Sequence, residues 1–275
     1  MKLRIGIDMG GSGVKIIILS DKLETIAKTK YPSDGSATTL ENELCKLMKN
    51  AGISSDDIAY ACVTGAGAAV VNDSIADIAV KKFGEFESFG RGSRYLSNLD
   101  NILAVSMGTG TAFVRCDGSR YTHLGGSGVG GGTLAGLSSL LIGEKDNDAV
   151  NSLISKGNYT KVDLTVGDIC EGGCGGLAPD VTAANFGKKH MSDRHEDIAA
   201  ALANMIFQTS GVMAAFACKG TDIDKAVFVG SMTDIPEGRE MLRAVGKLHG
   251  MEFIVPDNGA FAGAIGAVLR GTEEE

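Results

Sequence analysis

The chain has 275 residues, of which 44% are hydrophobic and 22% charged, which suits one large or two modest soluble domains with an ample core. Its net charge of −8 and its lack of tryptophan argue against a nucleic-acid binder, which needs a basic face and stacking aromatic residues. Glycine is unusually frequent, since 39 glycines amount to about twice the average frequency of roughly 7%. The glycines cluster in a few loops, so these loops are where function is expected.

The six cysteines are widely spread, and only Cys170 and Cys174 are closely spaced. This pair lacks the second pair of ligands that a zinc site needs, so we expect free thiols in a reducing compartment. The chain opens without a signal peptide, and no apolar run reaches the roughly 18 residues that span a bilayer. We therefore expect a cytoplasmic protein with no membrane partner.

The first motif in chain order is residues 5–15, Ile-Gly-Ile-Asp-Met-Gly-Gly-Ser-Gly-Val-Lys. An apolar run ends at Asp8 and another begins at Val14, which predicts a strand, a tight turn and a second strand. The amides of Gly10 and Gly11 suit phosphate oxygens, and the Asp8 carboxylate suits Mg²⁺ or its waters. Taken alone, the stretch fits an ordinary hairpin equally well.

The rest of the first half predicts an α/β arrangement with a mixed sheet. We expect strands at Thr25–Lys30 and Ile58–Thr64, and a helix that opens at Thr38 with apolar residues at helical spacing. Further helical stretches are expected near residues 68–82 and 90–99.

At Asn101 the opening pattern restarts. A strand at 102–106, a glycine turn at 107–111 and a returning strand at 112–116 repeat the first hairpin, and a third strand follows at 121–124. Two such halves facing each other would place a phosphate-binding hairpin on either side of one cleft. This duplication is the strongest sign of organisation in the chain.

Residues 125–133, Gly-Gly-Ser-Gly-Val-Gly-Gly-Gly-Thr, run into a predicted helix over 134–142. A glycine loop at a helix N-terminus is a good anion site, because orphan amides and the helix dipole point the same way. A flexible linker is the alternative, which the apolar helix directly after the loop disfavours.

The remaining elements alternate helix and strand: helices near 147–155, over 196–218 and over 238–249, strands at 225–230 and 252–255, and a final helix of small residues after Asp257. The helix over 196–218 is apolar around more than one face, which is typical of a core helix or a subunit contact.

Together these motifs resemble those of the actin/hexokinase/Hsp70 ATPase superfamily and, more closely, those of the type II pantothenate kinases. The matching pieces span almost the whole chain in the family's order: Ile7–Gly11 with Lys15, Met107–Thr111, Gly125–Thr133, Leu177–Gly187, Val229–Ser231 and Asp257–Ala267. The resemblance implies an α/β fold of two ribonuclease-H-like lobes, residues 1–100 and 101–275, with the nucleotide in the interlobe cleft of an actin-like ATPase.

The implied reaction is transfer of the ATP γ-phosphoryl group to the primary hydroxyl of pantothenate, the first step towards coenzyme A. Asp8 takes a catalytic, metal-binding role towards Mg²⁺, and Lys15 a phosphate role. The implied nucleotide-binding residues are Gly10, Gly11, Ser12, Lys15, Gly108, Thr109, Gly110, Thr111, Gly130, Gly131, Gly132, Ser231, Asn258 and Gly259. The resemblance also implies a homodimer built on the 196–218 helix and feedback by coenzyme A or its thioesters.

One departure from the family concerns the catalytic base, the Glu of a pattern like Glu-Phe-Asp-Ala-Ala-x-x-Gly. An ungapped match over residues 86–95 puts Ser88 at that position, and a shift of one residue restores Glu87. We take Glu87 as the base, with Glu85 in reserve; a solvated surface glutamate is the alternative.

The second departure is His123, which stands where the family has an arginine that grips the substrate carboxylate. A neutral imidazole is a weaker anion clamp than a guanidinium. Arg91 or Arg94 would replace it from the helix after Glu87. We expect Glu87, Arg91, Ser106 and His123 to line the acceptor site.

Other functions on the same fold stay open. ATPase activators of the 2-hydroxyacyl-CoA dehydratase type bridge two subunits through an iron–sulfur cluster, for which Cys116 and Cys170–Cys174 supply no obvious ligand pair. A sugar kinase, or a kinase of another small hydroxyl compound, is a further alternative. A repressor is disfavoured by the acidic charge and the absence of a helix-turn-helix extension.

Overall fold

The computed structural model describes residues 2–170 and 175–274. Its first sheet contains six strands: β1 (Leu3–Met9), β2 (Gly13–Leu19), β3 (Thr25–Pro32), β4 (Ile58–Thr64), β5 (Ser74–Ile75) and β6 (Ile78–Lys82). Their order is β3-β2-β1-β4-β6-β5, with β1 antiparallel to β2 and parallel to β4. The apolar runs predicted as strands thus lie at the centre of this sheet.

The second sheet repeats that arrangement. It contains β7 (Asn101–Met107), β8 (Thr111–Asp117) and β9 (Arg120–Ser127), followed after a small ribbon of β10 (Leu164–Thr165) and β11 (Thr182–Ala184) by β12 (Lys225–Val229) and β13 (Glu252–Ile254). The order β9-β8-β7-β12-β13 matches β3-β2-β1-β4-β6, with β7 antiparallel to β8 and parallel to β12. The duplication predicted from the two hairpins is therefore present in the strand order of both sheets.

Eight α-helices lie among the described residues: α1 (Ala37–Ala51), α2 (Glu85–Ser97), α3 (Gly131–Ile142), α4 (Asn147–Ile154), α5 (Val166–Ile169), α6 (His195–Cys218), α7 (Pro236–His249) and α8 (Ala262–Thr272). The predicted boundary after residue 100 falls between the two sheets. The C-terminal helix α8, however, packs on β1 and β4 of the first sheet. The division into lobes by residue number stays a prediction.

Helices α2 and α8 pack closely against each other because glycines face the contact. A Cβ atom on Gly92 would lie 1.9 Å from the carbonyl oxygen of Ala262, and one on Gly266 would lie 1.6 Å from that of Ser88. Any side chain at these positions would separate the helices. The contact matters for the site, since α2 begins at the cleft.

The predicted helix near residues 68–82 is wrong. That stretch forms a short 3₁₀ turn at Ala68–Val70 and the hairpin of β5 and β6. Ala76 and Asp77 have φ angles of 47° and 61°, a left-handed conformation that no α-helix contains. The turn brings β6 alongside β4, where Ile78 is buried in the core.

Helix α6 is long and apolar enough to cross a membrane, but 67% of its most apolar window is buried inside the fold. Leu202, Ile206 and Phe207 are fully buried in the core of the second lobe. The helix packs against α3, α4 and α7. Packing within one chain thus accounts for its apolar pattern, and the homodimer stays a prediction.

Candidate active site

A small cavity of about 20 Å³ lies where the two sheets and the start of α2 meet. It is large enough for one water molecule or ion. Residues from both lobes line it, among them Asp8, Thr64, Glu85, Ser106, Gly230 and Gly263. The cavity marks the point where the polar groups of the cleft converge.

The first hairpin contributes a carboxylate and an ammonium group. Asp8 on β1 lies opposite Lys15 on β2, and Lys15 is only 8% exposed. Burial raises the pKa of Asp8, while the charge of Lys15 lowers it. A Cβ atom on Gly263 would lie 2.8 Å from Asp8 Oδ2, so glycine lets α8 approach the carboxylate. The amide of Gly10 donates within the turn, to the carbonyl of Gly13 at 3.1 Å.

The tips of the two hairpins touch across the cleft. The Thr109 hydroxyl lies 2.8 Å from the Ser12 hydroxyl, and Gly11 lies beside Thr109. The Thr111 side chain is buried instead and donates to the carbonyl of Val129 at 2.8 Å. The structure therefore brings Ser12 and Thr109 together, and their contact with a phosphate stays a prediction.

The glycine loop, residues 125–133, holds the turn of the second hairpin through backbone hydrogen bonds. The amide of Gly131 donates to the carbonyl of Gly108 at 2.8 Å, and that of Gly132 to the carbonyl of Thr109 at 2.9 Å. A Cβ atom on Gly130 would lie 2.7 Å from the Thr109 carbonyl oxygen. These glycines hold the hairpin turn in place, and their contact with a nucleotide stays a prediction.

The rim of the second lobe carries the other predicted nucleotide residues. The amide of Gly230 donates to the carbonyl of Gly259 at 3.0 Å, and Ser231 lies exposed beside them. Lys28 on β3 reaches across the cleft and donates to Asn258 Oδ1 at 2.5 Å. The lobes therefore meet at this rim as well as at the hairpin tips.

A second contact between the lobes is the salt bridge from Lys30 on β3 to Asp234, with 2.6 Å between the charged atoms. Neither lysine was predicted to be at the cleft, because no motif contains them. Their spacing along β3 could have indicated a shared position, because residues i and i+2 of a strand, here Lys28 and Lys30, point to the same face of the sheet.

Glu85, rather than Glu87, faces the cavity. Glu85 is the first residue of α2, where partial burial raises its pKa, the charge of Asp8 raises it further and that of Lys15 lowers it. Glu87 accepts a hydrogen bond from Arg91 Nε at 2.9 Å and lies 3.4 Å from Arg270 Nε. The structure therefore favours Glu85, the reserve candidate.

The family pattern also fits when it is started at Glu85. Glu85-Phe-Glu-Ser then stands for Glu-Phe-Asp-Ala, and the final glycine falls on Gly92, the residue that packs against α8. Ser88, where the ungapped match had put the base, is buried in the contact between α2 and α8.

Two of the predicted acceptor residues lie near Glu85. Ser106 lines the cavity. The His123 ring stacks on that of Phe86, the neighbour of Glu85, with 3.8 Å between the ring centroids and 8° between the ring planes. Through Phe86, this stacked pair therefore lies next to Glu85, and neither ring lines the cavity.

The two candidate arginines bind elsewhere. Arg91 binds Glu87 and, at 2.5 Å, Glu273 near the end of the chain. Arg94 donates to the Tyr121 hydroxyl at 2.8 Å and pairs with Asp100. In this conformation neither guanidinium is available to replace the family's arginine, and the acceptor role of Arg91 stays a prediction.

The Thr182–Gly187 motif, one of the most specific parts of the resemblance, is held by Asp163. This fully buried carboxylate accepts hydrogen bonds from the Phe186 amide at 2.8 Å and from Asn204 Nδ2 at 2.8 Å. Burial raises the pKa of Asp163, and these hydrogen bonds lower it. The motif thus ties its loop to α6.

Within residues 2–170 and 175–274, no three His, Cys, Asp or Glu side chains form a group that could hold a metal ion. Cys116 is buried, and burial raises the pKa of its thiol to about 12. Cys174 lies outside the described residues. A cation at Asp8 would therefore have one or two protein carboxylates, with waters and phosphate oxygens as further ligands, which is the usual arrangement for Mg²⁺.

The family model Fumble matches residues 101–270 of the chain. The chain belongs to the Fumble family. Its sequence is 28% identical to the type II pantothenate kinase of Bacillus anthracis, with 100% of both chains covered. It is 27% identical to the type II pantothenate kinase of Staphylococcus haemolyticus over 97% of this chain and 99% of that one.

Solved structures with a similar fold include two nucleotide-bound proteins. The activator of the 2-hydroxyisocaproyl-CoA dehydratase from Clostridium difficile, with bound ADPNP, has a TM-score of 0.70 at 19% identity, covering 99% of this chain and 95% of that one. A ROK family glucokinase from Streptomyces griseus, in complex with glucose and AMPPNP, has a TM-score of 0.62 at 12% identity, covering 96% and 97%. With the repeated strand order, these likenesses confirm the predicted two-lobe fold.

Proposed function

We propose that this Fumble-family protein is a pantothenate kinase, which transfers the γ-phosphoryl group of ATP to pantothenate and yields 4′-phosphopantothenate for coenzyme A biosynthesis. Similarity to type II pantothenate kinases over the full chain supports the choice of acceptor. The observation that carries the chemistry is the convergence of Asp8 and Glu85 at one cavity between the lobes, with Lys15 opposite Asp8 on the neighbouring strand.

The residues at the cavity fit a requirement for Mg²⁺. Asp8 offers a hard carboxylate, and the cavity beside it has room for one ion or water. When bound, Mg²⁺ neutralises charge on the β- and γ-phosphates of ATP.

The hairpins would position the phosphates. The Lys15 ammonium group neutralises negative charge that develops during transfer, and the Ser12 and Thr109 hydroxyls donate hydrogen bonds to the γ-phosphate. Both hydroxyls lie at the point where the lobes touch, which supports the proposal that they bind the same phosphate.

Glu85 would accept the proton of the pantothenate hydroxyl. As the bond between that oxygen and the γ-phosphorus forms, the bond from phosphorus to the bridging oxygen of ADP breaks, and the hydroxyl proton passes to a Glu85 carboxylate oxygen. A raised pKa makes Glu85 a stronger base than an ordinary glutamate, and a general base works best when its pKa lies near the working pH.

Three further features belong to the same proposal. The protein acts in the cytoplasm, forms a homodimer that involves the exposed part of α6, and responds to coenzyme A or its thioesters. Phe216, which is 62% exposed on α6, is the natural place to test for the dimer contact.

The direct test is a panel of hydroxyl acceptors incubated with purified protein and ATP·Mg²⁺. ADP release and product mass are measured for pantothenate, its close analogues, glucose and a no-acceptor control. We expect phosphorylation of pantothenate and its analogues only. ADP release that glucose stimulates and pantothenate does not would overturn the proposal in favour of a sugar kinase. ATP hydrolysis by a coloured iron–sulfur protein would favour a dehydratase activator.

A further inference from the structure

Thr64 ends β4 and lies opposite Asp8 in the parallel register of β1 and β4. Residues in register on adjacent strands point to the same face of a sheet, and both side chains line the cavity. Thr64 is 0% exposed. Its side chain therefore faces the centre of the site.

The hydroxyl of Thr64 has no hydrogen-bond partner in the protein. Leaving a buried hydroxyl unpaired costs free energy, and native proteins nearly always satisfy such groups with protein atoms or ordered water. The other buried polar side-chain atoms without a partner in the described ranges belong to residues that do not line the cavity: Tyr31, Ser88, Arg94 and Ser138. The unpaired hydroxyl of Thr64 thus coincides with the cavity.

The cavity beside Thr64 can supply the missing partner. Its volume of about 20 Å³ admits one water molecule, which needs two to four polar neighbours to be held in place. Asp8, Glu85 and Ser106 line the same space as Thr64. A water there would have the Thr64 hydroxyl and the carboxylates of Asp8 and Glu85 among its neighbours.

We propose that Thr64 is a positioning residue, whose hydroxyl holds a water molecule between Asp8 and Glu85, and that this water forms part of the hydration shell of the cation that accompanies the nucleotide. The proposal rests on the proposed function, since it assumes a metal–nucleotide complex at Asp8. Thr64 itself touches neither phosphate nor acceptor.

The test measures how ADP binding depends on Mg²⁺ concentration, by titration calorimetry, in the wild type and in Thr64→Val. Valine matches threonine in shape but has no hydroxyl. We expect the Mg²⁺ concentration for half-maximal ADP binding to rise about tenfold, the loss expected for one hydrogen bond to a charged site. Thr64→Ser, which keeps the hydroxyl, should stay within about twofold of the wild type.

Ser138→Ala is the matched control, because Ser138 is another buried hydroxyl without a partner but lies on α3 outside the cavity. It should leave the Mg²⁺ dependence unchanged. Thr64→Val should also lower kcat about tenfold while leaving the KM for pantothenate unchanged. An unchanged Mg²⁺ dependence in Thr64→Val would overturn the proposal.

A crystal structure of the wild type with ADP and Mg²⁺ decides the question if Thr64→Val does not fold. A water within hydrogen-bond distance of Thr64 Oγ1 supports the proposal, and its absence overturns it. ADP binding needs no acceptor, so the result for Thr64 is independent of pantothenate. A wild type that binds ADP with Mg²⁺ but phosphorylates no pantothenate would refute the proposed acceptor alone.

Discussion

The first hairpin, β1–β2, and the second, β7–β8, place different residues at the same point of the cleft. In the first, Asp8 on β1 lies opposite Lys15 on β2. In the second, the register-equivalent pair is Ser106 on β7 and Ala112 on β8. The two sheets share a strand order, so the backbone is duplicated while the charged pair occurs in one copy.

Different segments of the chain hold the two hairpin turns in place. The first turn is held by the loop after β4, where Gly67 donates to the carbonyl of Met9 at 2.8 Å. The second is held by the glycine loop before α3, through Gly131 and Gly132. A carboxylate in both hairpins would place two negative charges beside the phosphates. The first hairpin would therefore compensate charge at the phosphates, and the second offers neutral hydrogen-bonding groups.

The largest expected difference is between Asp8→Asn and Ser106→Ala. Asp8→Asn should lower kcat/KM about 10²- to 10³-fold, because it removes the carboxylate of the first hairpin, whereas Ser106→Ala should lower it about tenfold. Burial raises the folded-state pKa of Asp8, so its ionised form destabilises the fold at neutral pH. Asp8→Asn should therefore raise Tm in the absence of nucleotide. Equal losses of activity in the two variants would contradict the division of roles.

A smaller effect is expected from crowding each turn. A Cβ atom on Gly65, whose φ is 95°, would lie 2.7 Å from Asp8 Oδ1, while one on Gly130 would lie 2.7 Å from the Thr109 carbonyl oxygen. Gly65→Ala should reduce kcat about 10- to 100-fold by displacing the carboxylate, and Gly130→Ala should mainly raise the KM for ATP.

Gly136→Ala on α3 is the control, since a Cβ atom there meets nothing within 4 Å. It should keep full activity and raise Tm by about 2 °C, because alanine favours helix over glycine. A larger loss in Gly130→Ala than in Gly65→Ala would reverse the comparison.

The smallest effect is expected in the pH dependence of kcat/KM. Glu85 must be ionised to accept a proton, and its pKa lies above the ordinary value of 4.5. Activity should therefore rise with pH through this raised pKa, and the acid limb of the kcat/KM profile should lie above pH 4.5. Glu87→Gln should leave that limb in place, because Glu87 binds Arg91 and does not line the cavity. A limb that disappears in Glu87→Gln would identify Glu87 as the base.

Sequence reasoning works well for the strands of both sheets. Ile58–Thr64 and the strand at Thr25 were predicted because short apolar or alternating runs end at turn residues. The prediction of a helix near residues 68–82 was wrong because local composition does not indicate the turn at Ala76 and Asp77. That turn depends on pairing with β4, a tertiary contact that propensity does not encode.

The candidate site was only partly predictable. Asp8 and Lys15 stand out because a carboxylate at a strand end precedes glycines. The choice between Glu85 and Glu87 depends on which side of α2 faces the cleft, since residues two apart on a helix point in different directions. Thr64 belongs to no motif. It ends a predicted strand, as Asp8 nearly does, so its position alone could have identified it as a site residue.

Single-turnover phosphorylation of pantothenate by Glu85→Gln and Glu87→Gln decides whether Glu85 is the base of the cleft. The two substituted residues lie two positions apart in the first turn of α2, and both variants remove the same charge. We predict that Glu85→Gln lowers the rate of phosphopantothenate formation about 10²- to 10⁴-fold and that Glu87→Gln stays within about threefold of the wild type. Full activity in Glu85→Gln would exclude Glu85 as the base.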